Sequence, residues 1–586
     1  MGQSSLGVVA VAFVAAATIG IGLVGVRVAR TTSDFFVASR TISPIWNASA
    51  IGGEYLSAAS FLGIAGLLLS SGVDMLWYPV GYAAGYLVLL VLIAAPLRRS
   101  GAYTLPDFAE SRLGSLAVRR CATVLVILIG WLYLVPQLQG ASLTLRTTTG
   151  APPWAGGLVV CVVVLLAVVS GGMRSVTFVQ AFQFWLKLCA LLVPALFLVA
   201  VYRIHAAPSV TSDMPPTVSR TTQVTMPATE TVRLHGSETL VVDGVLDGMP
   251  RDGRVVLGPG RHTLTAGTRV TLPAGAEVPV RVGLPSLTNR EWASPAVLRG
   301  GQRDGRSMYA TYSLILATFL GTMGLPHVLV RFYTNPDGRD TRRTTFVVIC
   351  LLAAFYLLPT VYGVLGRGNA TDLLMTGDTD STVLVLPPRL VGGTGGRLLG
   401  ALVTAGAFAA FLSTSSGLAI SVAGALTQDV LRPRRRHVAA FRVGAICAVV
   451  VPYLLSLGAQ GIGVASVVGL AFAVAASSFC PMLVLGVWWR GLTAAGALAG
   501  LLAGGGVAVC AVLVTIFTGE HAGWGGALLD EPAAWTVPLA FGVMIVVSLA
   551  TRHRLPADVA RTMARLHVPE AHLRPAGEPS LRPAPE

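Results

Sequence analysis

The chain alternates between long apolar runs and short polar connections. Thirteen runs of about eighteen or more mostly apolar residues are centred near residues 17, 58, 86, 132, 162, 189, 319, 356, 412, 449, 474, 505 and 542. As a helix, each run can cross a hydrocarbon layer roughly 30 Å thick, where a helix satisfies its own backbone polar groups. The pattern predicts an all-α polytopic membrane protein whose thirteen spans occupy residues 1–203 and 307–551.

One long segment departs from the helical pattern. Residues 204–306 contain stretches such as "ETVRLHG", "ETLVVDG", "RVVLG", "RHTLTAG" and "EVPVRVG", which alternate apolar and polar residues and end at glycine. This alternation predicts strands joined by turns, and therefore a small β-rich insert. Its Thr/Pro-rich start, "PSVTSDMPPTVSRTTQVTMPATE", is typical of partial disorder. The insert is interpreted as a lid-like accessory element or, alternatively, as a ligand-binding module.

Composition and charge indicate how the spans are oriented. Mean hydropathy is +0.71 and the net charge is +15, but the arginines cluster between alternate spans, as in "LRRSGAYTLPDFAESRLGSLAVRR" and "RFYTNPDGRDTRR". That distribution follows the positive-inside rule and argues against nucleic-acid binding. We expect a multi-pass protein of the bacterial plasma membrane, with the N-terminus and the insert outside and the 552–586 tail in the cytoplasm. The seven cysteines form no C-x-x-C motif, and neither a cofactor nor an obligate protein partner is evident.

Two of the apolar runs are interrupted. Span 2, "WNASAIGGEYLSAASFLGIAGLLL", contains Gly52 and Gly53, and span 7, "YSLILATFLGTMGLPHVLVRF", contains Gly321, Gly324 and Pro326. Broken helices at matching positions five spans apart favour two inverted repeats around a midplane site, the first from about residue 45 and the second to about residue 488. Alternatively, the glycines serve close helix packing.

Polar residues in the middle of two further runs point to a cation. Span 9 carries four consecutive hydroxyl residues, 413–416, and a hard cation such as sodium prefers oxygen ligands of this kind. Such hydroxyls can also bond back to carbonyls of their own helix. Glu54 at the span 2 break is a costly intramembrane carboxylate, predicted either to take part in cation or proton coupling or to pin the unwound segment.

Lys187, in "FQFWLKLC", is the only lysine among 42 basic residues. If span 6 begins near Ser175, Lys187 lies roughly 18 Å along it at 1.5 Å per residue, too deep to reach either surface. An ammonium at the bilayer centre costs about 2.5–3.5 kcal/mol, so we expect it to face a cavity or a partner. Thr177, Gln180 and Gln183 precede it at helical spacing, and this polar stripe is predicted to line the inner pathway.

Five motifs resemble the sodium:solute symporter family, and among its branches the cation/acetate, or monocarboxylate, symporters. They occur in the same order from about residue 32 to residue 515: "GGEYLSAASFLGIAG", "SGGMRSVTFVQAFQFW", "GTMGLPHVLVRFYT", "FAAFLSTSSGLAISVAG" and "GLAFAVAASSFCPMLVLGVWWRGLTAAGALAG". The resemblance implies a LeuT-type fold of inverted five-helix repeats, spans 2–6 and 7–11. It also implies a secondary active transporter, not an enzyme, that imports acetate, propionate or pyruvate by sodium symport with alternating access.

The resemblance further implies a site. Sodium would be held by the carbonyls of Gly53, Leu56 and Ala410 and by the hydroxyls of Ser413 and Thr414. The substrate would lie beside it, held by small polar groups and exposed backbone N–H groups near the two breaks. The candidate substrate residues are Tyr55, Ser57, Ser60, Gln137, Gln139, Thr322 and Met323. His327 and Arg331 are interpreted as interface and topology residues.

The sequence leaves the coupling ion, the substrate and the function class with alternatives. In some proton-coupled relatives of the LeuT fold a lysine stands in for sodium, and here Gln180 stands where some family members carry an aspartate, so Lys187 leaves proton coupling open. Lys187 could also attract the substrate carboxylate or pair with Glu54. The substrate could be another small solute such as an amino acid. A transporter-like sensor is a further alternative, against which we weigh the lack of a folded module after residue 552.

Overall fold

The structure is a computed structural model, and it describes residues 3–26, 42–204, 213–295, 305–431, 437–458, 463–518 and 523–569. Most of these residues are helical. The helices before residue 205 are α1 (Gln3–Val26), α2 (Pro44–Tyr55), α3 (Ile64–Ser71), α4 (Trp77–Val88), α5 (Ala94–Arg99), α6 (Leu105–Leu113), α7 (Leu116–Thr149) and α8 (Ala155–Ile204), and the insert contains α9 (Asn289–Ala293). The helices after residue 304 are α10 (Gly305–Gly321), α11 (Pro326–Val330), α12 (Gly338–Asn369), α13 (Leu373–Thr376), α14 (Thr382–Val391), α15 (Gly393–Ala425), α16 (His437–Gly458), α17 (Val464–Trp488), α18 (Ala494–Gly500), α19 (Val507–Thr518), α20 (Gly523–Asp530), α21 (Ala533–Ala550) and α22 (Val559–His567).

Eleven helical segments in the described ranges are long and apolar enough to cross a membrane, and a bent pair brings the number to twelve. Thirteen spans are predicted from the sequence. The difference lies in α8, a single 50-residue helical segment that contains two of the predicted spans. Its second part, Ser175–Val201, qualifies as a span, whereas its first part, Ala155–Val169, is shorter than a full crossing.

The predicted break in span 2 is confirmed. Helix α2 begins with Pro44 at its first position and ends at Tyr55, and a π-helical turn, Ala59–Gly63, leads into α3. The two halves are bent by 71°. At Gly53 a Cβ atom would overlap the carbonyl oxygen of Gln180, so glycine is required for α8 to approach the break.

The second predicted break differs from the first. A 3₁₀ turn, Thr322–Gly324, separates α10 from α11, but Met308–Thr334 still counts as one span. Among the described helices only the α2–α3 pair is bent by more than 40°. The reason lies in packing, because side chains at Gly321 and Gly324 would overlap backbone carbonyls of α17, so the interrupted segment lies flat against that helix.

Several arginine-rich connections meet at one end of the membrane part. Arg98 Nε donates to the carbonyl of Asn335 (2.5 Å), and Arg99 donates to that of His567 (3.2 Å). The connections after spans 3 and 7 and the start of the tail therefore meet, as their shared arginine content predicts. The connection after span 1 lies outside the described residues.

The insert folds as a seven-stranded antiparallel half-barrel. Its strands are β1 (Thr222–Thr225), β2 (Glu230–Leu234), β3 (Glu238–Leu246), β4 (Met249–Leu257), β5 (Gly260–Leu264), β6 (Arg269–Leu272) and β7 (Val280–Arg281), in the order β1-β6-β3-β5-β2-β7 with β4 beside β3. The strands expected from alternation are confirmed. The prediction of partial disorder in the Thr/Pro-rich start is wrong for β1, which pairs with β6 and buries Val224. Residues 205–212 lie outside the described ranges.

The insert docks on the membrane part through Trp292 of α9. This side chain is 3% exposed, and its Nε1 donates to the carbonyl of Leu68 at the end of α3 (2.5 Å). Arg367 of α12 lies 5.7 Å from the centre of the Trp292 ring and donates to the carbonyl of Leu287 (2.7 Å). The insert is therefore tied to the ends of two helices, one of which belongs to the broken pair.

Replacing Trp292 with phenylalanine is expected to loosen this docking. The variant loses one buried hydrogen bond, which contributes about 1 kcal/mol, and keeps most of the ring packing. Backbone amides of α9 should exchange with solvent faster, as hydrogen–deuterium exchange with mass spectrometry would show. Trp154→Phe is the control, since the Trp154 side chain is exposed. Equal exchange of α9 in both variants would contradict the docking role.

Candidate functional site

The break after α2 meets the hydroxyl-rich part of α15. Ser413 Oγ lies 2.6 Å from the carbonyl oxygen of Gly53 and 3.0 Å from that of Ala410. Thr414 Oγ1 donates to the carbonyl of Glu54 (2.6 Å). The residues predicted to hold sodium thus come together from two distant parts of the chain.

The ammonium of Lys187 lies among these oxygen atoms. Its Nζ donates to the carbonyl of Gly53, to that of Leu56 (2.7 Å) and to Ser413 Oγ (3.1 Å). Lys187 and Ser413 are both fully buried. The ammonium therefore uses three of the five oxygen atoms that the resemblance assigns to sodium.

The local sequence explains how the lysine reaches this position. Gly52 faces the ring of Phe184, and Gly53 faces the backbone of Gln180, so the double glycine lets α8 lie directly against α2. Gln180, Phe184 and Lys187 recur at helical spacing and share one face of α8. The lysine, one turn beyond the glycine contacts, then meets the carbonyls freed by the break.

Glu54 is paired with Arg331, which corrects two expectations. The carboxylate Oε2 lies 2.7 Å from Arg331 Nε, and the two side chains are 1% and 0% exposed. Arg331 also donates to Thr177 Oγ1 (2.7 Å) and to Gln180 Oε1. The interpretation of Arg331 as a topology residue is therefore wrong. The predicted pairing of Lys187 with Glu54 is also wrong, because Glu54 pairs with Arg331 and Lys187 donates to carbonyl and hydroxyl oxygens. Charge balance in the sequence could have indicated the pair, since a buried carboxylate needs a cation and Arg331 is embedded in the apolar run "HVLVRFYT".

The polar stripe on α8 divides between two partners. Gln180 Nε2 donates to the carbonyl of Ser413 (2.8 Å), and Gln183 Nε2 donates to Thr18 Oγ1 of α1 (2.9 Å). Both glutamines are fully buried. In this conformation the stripe ties α8 to α15 and α1, and its place along an inner pathway stays a prediction.

The predicted substrate residues fall into separate places. Tyr55 and Thr322 join the two interrupted helices, with their hydroxyl oxygens 2.9 Å apart. Gln137 Oε1 accepts from the backbone N–H of Ala58 (2.8 Å) and so braces the break. Ser60 Oγ lies 3.1 Å from the Tyr356 hydroxyl. Ser57 and Met323 are also buried, and each lies close in the sequence to one of these residues.

Gln139 lies elsewhere, in the wall of a cavity of about 470 Å³ between the membrane part and the insert. Two ion pairs line this cavity, Arg146 with Asp378 and Arg281 with Glu230, each at 2.9 Å. Burial raises the pKa of Asp380, in the same wall, to about 6. The cavity is therefore a polar chamber at the insert side, separate from the break.

Sequence reasoning missed an aromatic cluster beside the break. The ring of Phe472 lies 4.8–6.2 Å from those of Tyr55, Tyr82 and Tyr133. His327 lies 5.1 Å from Tyr133 and is fully buried, so its interpretation as an interface residue is wrong. In the described part of the chain neither ring nitrogen of His327, nor the hydroxyls of Tyr82 and Tyr86, has a hydrogen-bond partner. The residues lie on α2, α4, α7, α11 and α17, and their separation in the sequence hid the cluster.

Known proteins resemble this chain in sequence or in fold. The chain is 29% identical to the uncharacterized symporter YwcA of Bacillus subtilis over 564 residues, covering 93% of both chains. It is 28% identical to a monocarboxylic acid transporter of Corynebacterium glutamicum over 548 residues, covering 88% of this chain and 86% of that protein. A solved structure of a Na+-coupled sialic acid symporter, in a substrate-bound outward-open state, matches with a TM-score of 0.58 and 13% identity, covering 94% of this chain and 98% of that one. At this identity the likeness concerns the fold, which is LeuT-like.

The family assignment rests on most of the chain. The model of the sodium:solute symporter family matches residues 35–246 and 285–504, and the stretch between them lies within the β insert. The matched residues include the broken helix, Lys187 and the hydroxyl-rich part of α15. The chain is a multi-pass membrane transporter, not an enzyme, and it belongs to the sodium:solute symporter family.

Proposed function

We propose that this protein is a secondary active symporter that imports a small monocarboxylate, such as acetate, propionate or pyruvate, together with a cation by alternating access. The observation that carries the proposal is the meeting of the α2 break with α15 around a buried positive charge. The name of the monocarboxylic acid transporter from Corynebacterium glutamicum supports the substrate class.

The aromatic cluster offers a place for the carboxylate. Buried polar groups without partners destabilise a protein, and His327, Tyr82 and Tyr86 are such groups. A carboxylate is an acceptor that can pair with the hydroxyls and with an imidazole N–H. The residues that would surround it are Tyr55, Ser57, Ser60, Gln137, Thr322 and Met323. The ring of Phe472, beside Tyr55, would be an apolar neighbour for its tail.

The two interrupted helices supply the moving parts. In an inverted-repeat transporter, one bundle rocks against the other around a fixed midplane site. Here α2–α3 and α10–α11 meet through Tyr55 and Thr322, so a displacement of either half changes the site. The positive-inside rule places the arginine-rich connections in the cytoplasm and the insert outside.

The coupling cation is either sodium or a proton. Sodium is the ion that the family name implies, and the contact between Ser413 Oγ and the Gly53 carbonyl supports it. Three of its predicted ligands are bound to the Lys187 ammonium, and this favours a second candidate, a proton.

Uptake of labelled pyruvate into proteoliposomes tests the proposed function. Pyruvic acid is a stronger acid than acetic acid, so less of it crosses a bilayer in neutral form. An imposed inward proton or sodium gradient should drive accumulation above that of protein-free liposomes, and unlabelled acetate and propionate should compete. His327→Leu should weaken that competition, with the exposed His553→Leu as control. Uptake no greater than in protein-free liposomes under both gradients would contradict a monocarboxylate symporter.

A further inference from the structure

We propose that the ammonium of Lys187 is a tethered cation that takes the place of sodium, so that the coupling ion is a proton bound and released by this lysine in each cycle. The inference deepens the proposed symport function and rests on it for the transport step. Its structural part, the occupation of the cation site by an ammonium, stands without it.

The Lys187 ammonium occupies the oxygen atoms that a sodium ion would need. The three acceptors of Lys187 come from two elements that are far apart in the sequence: two carbonyls at the break and one hydroxyl of α15. A sodium ion would need the same oxygen atoms, since a hard cation in a site without carboxylate ligands is held by carbonyls and hydroxyls. The ammonium and a sodium ion therefore exclude each other.

The charges around Lys187 also oppose a second cation. Glu54 on α2 is the charged side chain that acts on Lys187, and Glu54 is neutralised by Arg331 at 2.7 Å. The facing part of α15 offers hydroxyls, and Tyr362 of α12 donates to the carbonyl of Leu191, one turn beyond Lys187 (3.0 Å). Three ionisable groups, two basic and one acidic, thus leave a surplus of one positive charge. A sodium ion would add a second one to a buried region of low dielectric, where like charges repel strongly.

In each cycle Lys187 takes up one proton outside and releases it inside. Lys187 takes up a proton on the outer side, and the resulting ammonium joins the α2 break to α15 in the conformation described here. When rocking separates the two elements, the ammonium loses its acceptors and transfers the proton to water on the inner side. The neutral amine then returns with the empty carrier. One proton and one carboxylate anion enter per cycle, and the transported pair has no net charge.

Transport in proteoliposomes tests the coupling. Wild-type protein should accumulate labelled pyruvate under an inward proton gradient, and replacing sodium by N-methylglucamine on both sides should leave the rate unchanged. Lys187→Met, which retains length without charge, should abolish accumulation while preserving exchange of internal unlabelled for external labelled pyruvate. Cys189→Ala, at an exposed position of the same helix, is the control. Accumulation that requires a sodium gradient would overturn the proposal.

Ion binding tests the same idea without a substrate. Sodium chloride, compared with N-methylglucamine chloride at equal ionic strength, should leave the Tm of the detergent-solubilised wild type unchanged. Lys187→Ala frees the oxygen ligands, so sodium should raise its Tm by binding the folded state, and Lys187→Ala combined with Ser413→Ala should lose that shift. Stabilisation of the wild type by sodium would overturn the proposal even if the alanine variant fails to fold. The expected sodium pattern without pyruvate transport under either gradient would refute the proposed substrate and support the tethered cation.

Discussion

Replacing Arg331 with glutamine is expected to cost the folded protein about 3–5 kcal/mol, because the change leaves Glu54 as a buried charge without its partner. The pair is almost completely shielded from water, at 0% and 1% exposure. Glutamine also cannot reproduce the contacts that the guanidinium makes with Thr177 and Gln180. Thermal unfolding of purified protein in detergent would measure the loss.

Two matched variants make this result specific. Glu54→Gln combined with Arg331→Gln removes both charges and should recover much of the lost stability, since a neutral pair leaves no uncompensated charge. Arg290→Gln removes an arginine whose partner, Asp213, is 66% exposed, and such a change should cost less than about 1 kcal/mol. A loss for Arg331→Gln as small as that for Arg290→Gln would show that the buried pair is unimportant.

Replacing Gly417 with alanine is expected to disturb the same ion pair from the side of α15. The added Cβ would overlap the Glu54 carboxylate group, and overpacking of this kind costs about 1–3 kcal/mol. Glu54 would have to move away from Arg331, so gradient-driven pyruvate uptake should fall by more than the amount of folded protein does. The assay is uptake normalised to folded protein, measured by size-exclusion chromatography with fluorescence detection.

Gly424 provides the control for this substitution. It lies two turns further along α15, and an added Cβ would meet no heavy atom within 4 Å. Gly424→Ala should therefore be neutral or should stabilise the helix by up to about 1 kcal/mol. Equal effects of the two substitutions would mean that the alanine acts through helix propensity and that Glu54 is not displaced.

The fold was largely predictable because hydrophobicity and glycine act locally. Apolar runs predicted most of the spans, and alternation predicted the strands of the insert. Gly52 and Gly53 predicted the α2 break because a break depends on a few adjacent residues. The interruption in span 7 was predicted from its own glycines and proline, but the small bend there could not be predicted, because it depends on packing against α17 and no local pattern reveals which helix lies opposite.

The site was less predictable because it depends on pairing across the chain. The position of Lys187 beside the predicted ligands was expected as one alternative, whereas the partner of Glu54 was missed. Arg331 is 277 residues from Glu54, and only the folded structure shows which of the 42 basic residues reaches it. The unpartnered nitrogens of His327 were missed for the same reason.

The scarcity of lysine gives the protein an internal reporter. Lys187 is the only side-chain amine in the chain, and it is fully buried in the conformation described here. A reagent that acylates amines can reach this atom only when the break and α15 part and water enters. Its rate of modification therefore measures how often the α2 break and α15 separate, and so how often the transporter leaves the conformation described here.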